Sequence, residues 1–204
     1  KDLLELCLNE EWEYIDQTIS KNCYEWDFYE AKNGTTPCLT CARKGALSTL
    51  KLLSQYMDFI DEKSDEGASL ILEACVSGNI ELVEWLLSSS CTLDLSLKDR
   101  DDYGSTCLLT AITYGRIELV KWLISKGCSV KERDENGNTA LLVACENGHL
   151  EIIQFLLSKC GSSIKERNNR KMNSVFCAAS HGHINVVDWF VKKGCKLKGK
   201  VDGG

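Results

Sequence analysis

Twelve cysteines and three histidines are the side chains in this sequence best suited to metal or redox chemistry. Cys38 and Cys41 form a CxxC pair, a spacing used by redox-active thiols and by zinc ligands. No second CxxC accompanies it, although a zinc ribbon requires one. Cys177, His181 and His183 form another cluster, for which no fourth ligand is evident. We therefore predict core packing for the thiols, structural or surface roles for the histidines, and neither a metal nor a cofactor.

Residues for acid–base or nucleophilic catalysis are also poorly arranged. Ser180 adjoins His181, but neighbours on a helix point in different directions and cannot form a triad. Asp101 and Asp102 lie in a polar segment, where solvation explains them. The phosphate-binding, dinucleotide, zincin and nucleophile-elbow motifs do not occur. We predict no catalytic residues, no enzymatic activity and no small-molecule substrate.

Composition and charge narrow the range of partners. Of the 204 residues, 44% are apolar and 26% charged, and no apolar run approaches the roughly 20 residues of a membrane span, so we expect no membrane insertion. The net charge of −6 is uneven, because residues 165–204 carry nine Lys and Arg against three acidic residues. An acidic protein segment could bind there. Nucleic acid is disfavoured, since no aromatic residues interleave with the basic ones.

A repeated pattern of helix signals organises the chain. Glycines recur at intervals of 33 to 37 residues, at Gly45, Gly78, Gly115, Gly148 and Gly182. Each closes a short apolar segment that opens on a helix-capping residue: Thr36, Ser69, Thr106, Thr139 or Asn173. Segments such as IELVEWLL and LEIIQFLL follow, with the spacing of an amphipathic helix. The pattern predicts pairs of short helices.

Such a helix pair cannot bury its apolar face alone, but stacked copies can. The segments TPCLTCARKG and TALLVACENGH resemble the ankyrin repeat, whose marks are a Thr-Pro-Leu-His-like start, an alanine pair, Gly-His and Val-x-x-Leu-Leu. The pattern repeats five times and covers nearly the whole chain. The resemblance implies an all-α ankyrin-repeat solenoid of stacked helix-turn-helix units with β-hairpin-like fingers. It also implies that His149 and His183 make a structural hydrogen bond in the turn between helices.

The repeat register predicts one array over residues 1–204. A degenerate N-terminal repeat at 1–30 precedes repeats at 31–63, 64–100, 101–133, 134–167 and 168–204. Gly204 falls where another repeat would open, so we expect the array to be truncated at this end. We also expect the terminal repeat to expose an apolar face.

The same register explains most of the cysteines. Cys75 and Cys145 fall where other copies carry Ala42 and Ala179, and buried cysteine behaves as a small hydrophobic residue. Unpaired thiols in a core fit a reducing compartment. We therefore expect an intracellular protein, located in the cytoplasm or the nucleus.

The resemblance implies a non-catalytic protein–protein interaction module or scaffold, which binds its partner through finger tips and the concave face of the first helices. The residues that vary at these two places are predicted to bind another protein. They are Arg100, Asp101, Asp102, Tyr103, Tyr114, Arg133, Asp134, Glu135, Glu146, Asn147, Arg167, Arg170, Lys171 and His181. The alternatives are a structural spacer, or the targeting or substrate-recruiting array of a larger enzyme or ubiquitin-ligase adaptor whose active module lies outside this sequence.

Two local expectations follow from the register. The longest finger, residues 93–104, alternates Leu93, Leu95 and Leu97 as an extended hairpin would, and its tip with Tyr114 is our first contact hypothesis. The rival is a tolerated loop insertion. The second expectation is that one further varied position of each first helix belongs to the binding face. These residues are Thr40, Glu73, Thr110, Val143 and Cys177.

Overall fold

The computed structural model describes residues 2–22, 34–56, 62–88 and 95–195. The chain divides into two compact units, residues 1–102 and 103–204. Within the described ranges all regular structure is helical, apart from isolated bridge residues such as the antiparallel pair Lys63 and Ser69. The described residues of each unit form three pairs of helices.

In every pair a short first helix is followed, after a turn, by a second helix. The first unit contains α1 (Leu3–Leu8), α2 (Trp12–Asn22), α3 (Pro37–Lys44), α4 (Leu47–Leu53), α5 (Leu70–Ser77) and α6 (Ile80–Leu86). The second contains α7 (Cys107–Thr113), α8 (Ile117–Ser125), α9 (Ala140–Glu146), α10 (Leu150–Lys159), α11 (Ser174–Ser180) and α12 (Ile184–Lys192). First helices pack against each other along the chain, α1 on α3 and α3 on α5 in one unit, α7 on α9 and α9 on α11 in the other.

The predicted ends of the first helices are confirmed. All five capping residues occupy the N-cap position, and three accept a hydrogen bond from the backbone N–H three residues later. These three are Thr36, Thr106 and Asn173, with donor–acceptor distances of 3.2, 3.4 and 2.9 Å. The five closing glycines all adopt the left-handed conformation, with φ between +69° and +81°. Local signals alone thus set the length of each first helix.

The other two N-cap hydroxyls make contacts with the segment that follows their own helix pair. Ser69 Oγ donates to Asp99 Oδ2 at 3.0 Å, and the Thr139 hydroxyl donates to the carboxylate of Glu166. These hydroxyls therefore tie the start of one helix pair to the chain leading into the next finger.

Apolar side chains fill the space between successive first helices. In the second unit Leu109, Leu142, Ala144 and Cys145 are at most 2% exposed. The prediction that a further first-helix position belongs to the binding face is wrong for Thr40, Glu73 and Cys177, which are buried. Thr110 is half-buried, and Val143 is buried at 6% exposure but still lines a cleft on the second unit. The neighbouring first helix covers this position, because the stacked helices approach closely.

Glu73 is the charged member of that buried set. It is compensated by Arg43, whose Nε and Nη2 donate to the two carboxylate oxygens at 2.6 and 3.0 Å. Two-point pairing of this kind satisfies a carboxylate that has lost its water. Glu73 therefore serves packing between α3 and α5 and is not available to a partner.

The fingers are tight hairpin-like turns that contact one another. In the second unit Asp134 N donates to Asn138 O, and Asn168 N donates to Met172 O, both at 3.2 Å. One backbone hydrogen bond then joins consecutive fingers, as from Asn169 N to Asn136 O at 3.0 Å. The spacing of the fingers is thus set by the backbone.

The extended conformation predicted for the longest finger is wrong at Leu97, and Leu93 lies outside the described residues. Asp99 N donates to Ser96 O at 3.0 Å, so the chain turns at Leu97 and Lys98. Ser96 Oγ also accepts from Lys98 N at 3.2 Å. A serine that bonds its own backbone two residues on favours a turn over a strand.

Lys171 replaces the glycine that opens the other repeats, yet it retains the glycine conformation. Its φ is +58°, close to the +73° and +75° of Gly104 and Gly137. A side chain in this region clashes with its own backbone. The hydrogen bond from Lys171 N to Asn168 O, at 2.9 Å, holds the turn in place.

Replacing Lys171 with glycine should therefore stabilise the protein by about 1 kcal/mol, because the left-handed conformation no longer strains a side chain. Urea denaturation measures the change. Arg170→Gly is the matched control and should not stabilise, since Arg170 has no positive φ. A Lys171→Gly variant that is no more stable than the starting protein would contradict this account.

The last helix pair exposes apolar side chains, as expected. Phe176 on α11 is 36% exposed, whereas Leu142 at the same position of α9 is fully buried. On α12, Ile184 and Val191 are 72% and 47% exposed. The pair α11 and α12 follows Leu142 and buries it. Among the described residues, no further helix pair follows to cover Phe176 in the same way.

This difference predicts unequal costs for two equivalent truncations. Leu142→Ala should destabilise by about 2–5 kcal/mol, because it opens a cavity in a closed core. Phe176→Ala should cost less than Leu142→Ala although it removes a larger side chain. Thermal and urea unfolding of both variants would measure this, and equal losses would show that both positions are equally covered in solution.

Candidate functional site

A cleft of about 290 Å³ lies on the second unit, between a finger and the first helices. Its lining residues are Ser105, Thr113, Asp134, Asn136, Asn138, Val143, Glu146, Asn147 and His181. They come from all three helix pairs of this unit and the chain that precedes them. Apart from Val143, each of them is polar. We call this feature the finger–helix cleft.

A buried asparagine organises the wall of the finger–helix cleft. Asn138 donates to both oxygens of Asp134, from its backbone N at 2.7 Å and from its Nδ2 at 3.0 Å. The same Nδ2 lies 3.3 Å from Glu146 Oε2. Asn138 Oδ1 accepts from Asn168 Nδ2 at 2.9 Å. One amide therefore positions two carboxylates and links two fingers.

Asn168 extends this network into the last finger. Its Oδ1 accepts from the backbone N–H groups of Arg170 and Met172, both at 3.0 Å. An asparagine that caps its own turn in this way fixes the turn geometry. Because Asn168 is itself buried, the positions of the two fingers depend on each other.

His181 also lines the finger–helix cleft. Its Nδ1 lies 3.0 Å from Cys177 O, and because a carbonyl oxygen only accepts, Nδ1 carries the proton. Nε2 then faces Glu146 Oε1 at 3.5 Å. The imidazole and the carboxylate thus lie side by side in the cleft.

The other two histidines join adjacent repeats. His149 Nε2 bonds Thr113 O at 2.9 Å, and His183 Nε2 bonds Glu146 O at 2.8 Å. The structural role implied by the resemblance is thus confirmed, and the acceptor belongs to the preceding first helix. Gly148 leaves room for this contact, since a Cβ there would lie 2.4 Å from His183 Nδ1.

The structure brings four of the predicted partner-binding residues together in the finger–helix cleft: Asp134, Glu146, Asn147 and His181. The remaining ten are distributed over the fingers and the end of α7. None of the fourteen is buried. The half-buried ones are Asp101, Asp134, Glu146 and Asn147. The exposed ones are Arg100, Asp102, Tyr103, Tyr114, Arg133, Glu135, Arg167, Arg170, Lys171 and His181.

Two of the exposed arginines also have a role within the fingers. Arg133 Nη1 donates to Gly137 O and, at 2.9 Å, to Arg167 O. Arg167 Nη1 donates to Lys171 O at 3.0 Å. Each guanidinium thus satisfies carbonyl oxygens of its own finger, and Arg133 bridges to the next one as well.

Sequence reasoning missed Asn138 and Asn168, the two residues that organise the cleft. Asn138 directly precedes the capping residue Thr139, where other repeats carry Thr35, Ala68, Ser105 and Met172. The sequence did contain a signal: only one repeat carries an asparagine at this position, four residues after Asp134. It could not be interpreted because the second partner, Asn168, lies 30 residues away.

Neither a metal site nor a membrane span is found in the part of the chain that the structure describes. No three His, Cys, Asp or Glu side chains there are grouped so that they could bind an ion. His181 contacts the carbonyl oxygen of Cys177, and His183 contacts Glu146 O. None of the described helices is sufficiently long and apolar to cross a bilayer.

Stacked pairs of short helices, joined by hydrogen-bonded fingers, define a helical repeat protein. A family model described as "Ankyrin repeats (3 copies)" matches residues 39–134, 71–168 and 108–201. The chain therefore belongs to the ankyrin-repeat family, and the all-α ankyrin-repeat fold predicted from the sequence is confirmed. Members of this family are generally protein–protein interaction modules and typically non-catalytic. No curated protein matches the chain.

Asn138→Ala should destabilise the protein by about 1–3 kcal/mol, because it leaves the buried Asn168 Nδ2 without its acceptor and removes the side-chain bond to Asp134 Oδ2. Urea denaturation measures the loss. Asn136→Ala is the matched control: its side chain is exposed, and its backbone oxygen keeps the bond from Asn169. It should change stability by less than about 0.5 kcal/mol. Similar values for the two variants would refute the organising role of Asn138.

Proposed function

We propose that this ankyrin-repeat chain recognises another protein through the finger–helix cleft and the exposed residues beside it. The observation that carries the proposal is the convergence of Asp134, Glu146, Asn147 and His181 in one cleft. These residues come from a finger and from the ends of two first helices. They vary among the repeats.

The internal hydrogen bonds of the finger–helix cleft suit it to binding. Asn138 holds the carboxylates of Asp134 and Glu146 before any partner arrives. A surface that is already ordered loses less conformational entropy on association, so more of the contact energy contributes to affinity. The backbone bond between the fingers adds to this preorganisation.

The polar lining of the finger–helix cleft favours a polar side chain of a protein partner. Pockets that enclose small molecules are mostly lined by apolar and aromatic groups. Here carboxylates, amides, hydroxyls and an imidazole surround a small open space. We therefore propose that a protruding polar side chain of the partner enters the cleft while the surrounding surface supplies most of the contact area.

Two tyrosines provide that contact area. Tyr114 directly follows Thr113, a lining residue, and is 44% exposed, while Tyr103 on the finger is 57% exposed. Tyr103 O accepts from Glu135 N at 3.0 Å, which holds its backbone in place. Exposed tyrosines on an ordered backbone are favoured anchors at protein interfaces. Arg100, Asp101 and Asp102 precede Tyr103 directly, and we propose that they contact the same partner.

The basic side chains of the last finger contribute a separate electrostatic attraction to the binding of the partner. Arg167, Arg170 and Lys171 are all exposed there. We propose that they contact an acidic segment of the partner and accelerate its association. Such contacts are screened over about 8 Å at physiological salt, so they should weaken as salt is added.

Replacement of Tyr114 by alanine tests the proposed surface. The 204-residue chain serves as bait, a captured protein is identified by mass spectrometry, and its affinity is then measured with purified components. Tyr114→Ala should weaken binding at least tenfold, because an anchor residue typically contributes more than about 1.4 kcal/mol.

Tyr14→Ala is the matched control, because Tyr14 on α2 has a nearly identical exposure of 45%. It should leave the affinity within about twofold, a change under roughly 0.4 kcal/mol. Equal losses in both variants, or none in Tyr114→Ala, Tyr103→Ala and His181→Ala alike, would place the binding surface elsewhere.

A further inference from the structure

Two cysteines from successive repeats of the first unit face each other in the core. Cys7 on α1 and Cys41 on α3 are fully buried, and their sulfur atoms lie 3.8 Å apart. The contact is a thiol–thiol hydrogen bond. In the sequence Cys41 forms a CxxC spacing with Cys38, but in the fold Cys7 lies against Cys41.

The geometry favours a bond between these two sulfur atoms. A disulfide requires a sulfur–sulfur distance of about 2.05 Å and neighbouring Cα atoms. Cys7 and Cys41 lie on helices that pack directly against each other. The sulfur atoms therefore need to approach by less than about 2 Å, a distance within reach of side-chain rotation and a small helix shift.

Burial protects the pair while the fold is closed. The hydrogen bond to Cys7 and the loss of water raise the pKa of the Cys41 thiol well above its usual value, and burial also raises the pKa of Cys38. Only the thiolate reacts readily with an oxidant. Because Cys7 and Cys41 are both fully buried, a peroxide reaches them only after a local opening of the structure.

Local opening of helix α1 is the motion that exposes Cys7. This helix packs against α2 and α3. Folded proteins open locally in cooperative units, at a lower free energy than global unfolding requires. When α1 opens, Cys7 reaches solvent while Cys41 remains on the longer helix α3.

We propose that Cys7 and Cys41 form an oxidisable pair, which closes to a disulfide between the first two repeats in the presence of a hydroperoxide. The Cys7 thiolate attacks the peroxide O–O bond, giving a sulfenic acid and releasing water, or an alcohol from an alkyl peroxide, once a proton is taken up. The Cys41 thiolate then attacks the Cys7 sulfur and displaces hydroxide, which leaves as water after protonation. Two thiols are oxidised to one disulfide, and one peroxide is reduced.

The bond would join helix α1 covalently to helix α3. Closing the chain between residues 7 and 41 lowers the entropy of the unfolded state. The oxidised protein should therefore melt at a higher temperature than the reduced protein, by roughly 5–10 °C. This site is independent of the finger–helix cleft, and the proposal does not rest on the proposed function.

The test is disulfide mapping on the full chain. The reduced protein is treated with hydrogen peroxide at low protein concentration, remaining thiols are alkylated, and digested peptides are analysed by mass spectrometry. The expected product is a Cys7–Cys41 linked peptide. A Cys38–Cys41 bond as the main product would overturn the proposal. The proposal would also be overturned if Cys7 and Cys41 stayed reduced after the half-buried cysteines had been oxidised. These are Cys128, Cys160 and Cys195.

Two alanine variants provide the matched comparison. Cys38→Ala should form the Cys7–Cys41 bond as the starting protein does and show the same rise in melting temperature on oxidation. Cys7→Ala should show no such rise. If Cys7→Ala fails to fold, the mapping of the unaltered chain still decides the question. Loss of the linked peptide in Cys38→Ala would show that Cys38 carries the reaction.

Discussion

The burial of each first helix against the next is the interaction on which the rest of this structure depends. Leu109 and Leu142 occupy equivalent positions in the second unit and are almost completely removed from water. Each buried leucine contributes about 1.5–3 kcal/mol of hydrophobic free energy, and a single helix pair has no other way to obtain it. The short helices must therefore have nearly equal lengths, and the capping residues and closing glycines provide them.

Directional contacts then determine how one pair sits on the next. Hydrophobic burial alone tolerates sliding, because it depends on area and has little angular preference. The bonds from His149 and His183 to the preceding first helices, and the backbone bonds between fingers, each require one relative position. The finger–helix cleft exists because these contacts leave the finger and the ends of the first helices at a constant separation.

Core positions and surface positions of each repeat have different requirements, and this difference determines where residues with specific chemistry occur. Most positions that face the core carry small or apolar side chains, and a charged one such as Glu73 needs a partner there. Cysteine fits these positions as a small hydrophobic residue. A cysteine at two facing core positions, as at Cys7 and Cys41, adds a possible covalent bond without disturbing the packing. Surface positions carry no such restriction. The buried Asn138 introduces a polar network into one repeat because Asp134 and Asn168 satisfy its amide.

The sequence by itself determined the helix pairs, their boundaries and the family. Thr36 and Thr106 cap helices that begin at the next residue, as the local pattern predicted, because capping and amphipathic spacing depend only on neighbours along the chain. Only the tertiary structure decided which side chains meet. Val143 is buried rather than exposed, Asn138 meets Asn168, and Cys7 rather than Cys38 lies against Cys41. Each of these depends on how far one repeat is rotated on the next, a quantity that periodicity along a single chain does not contain.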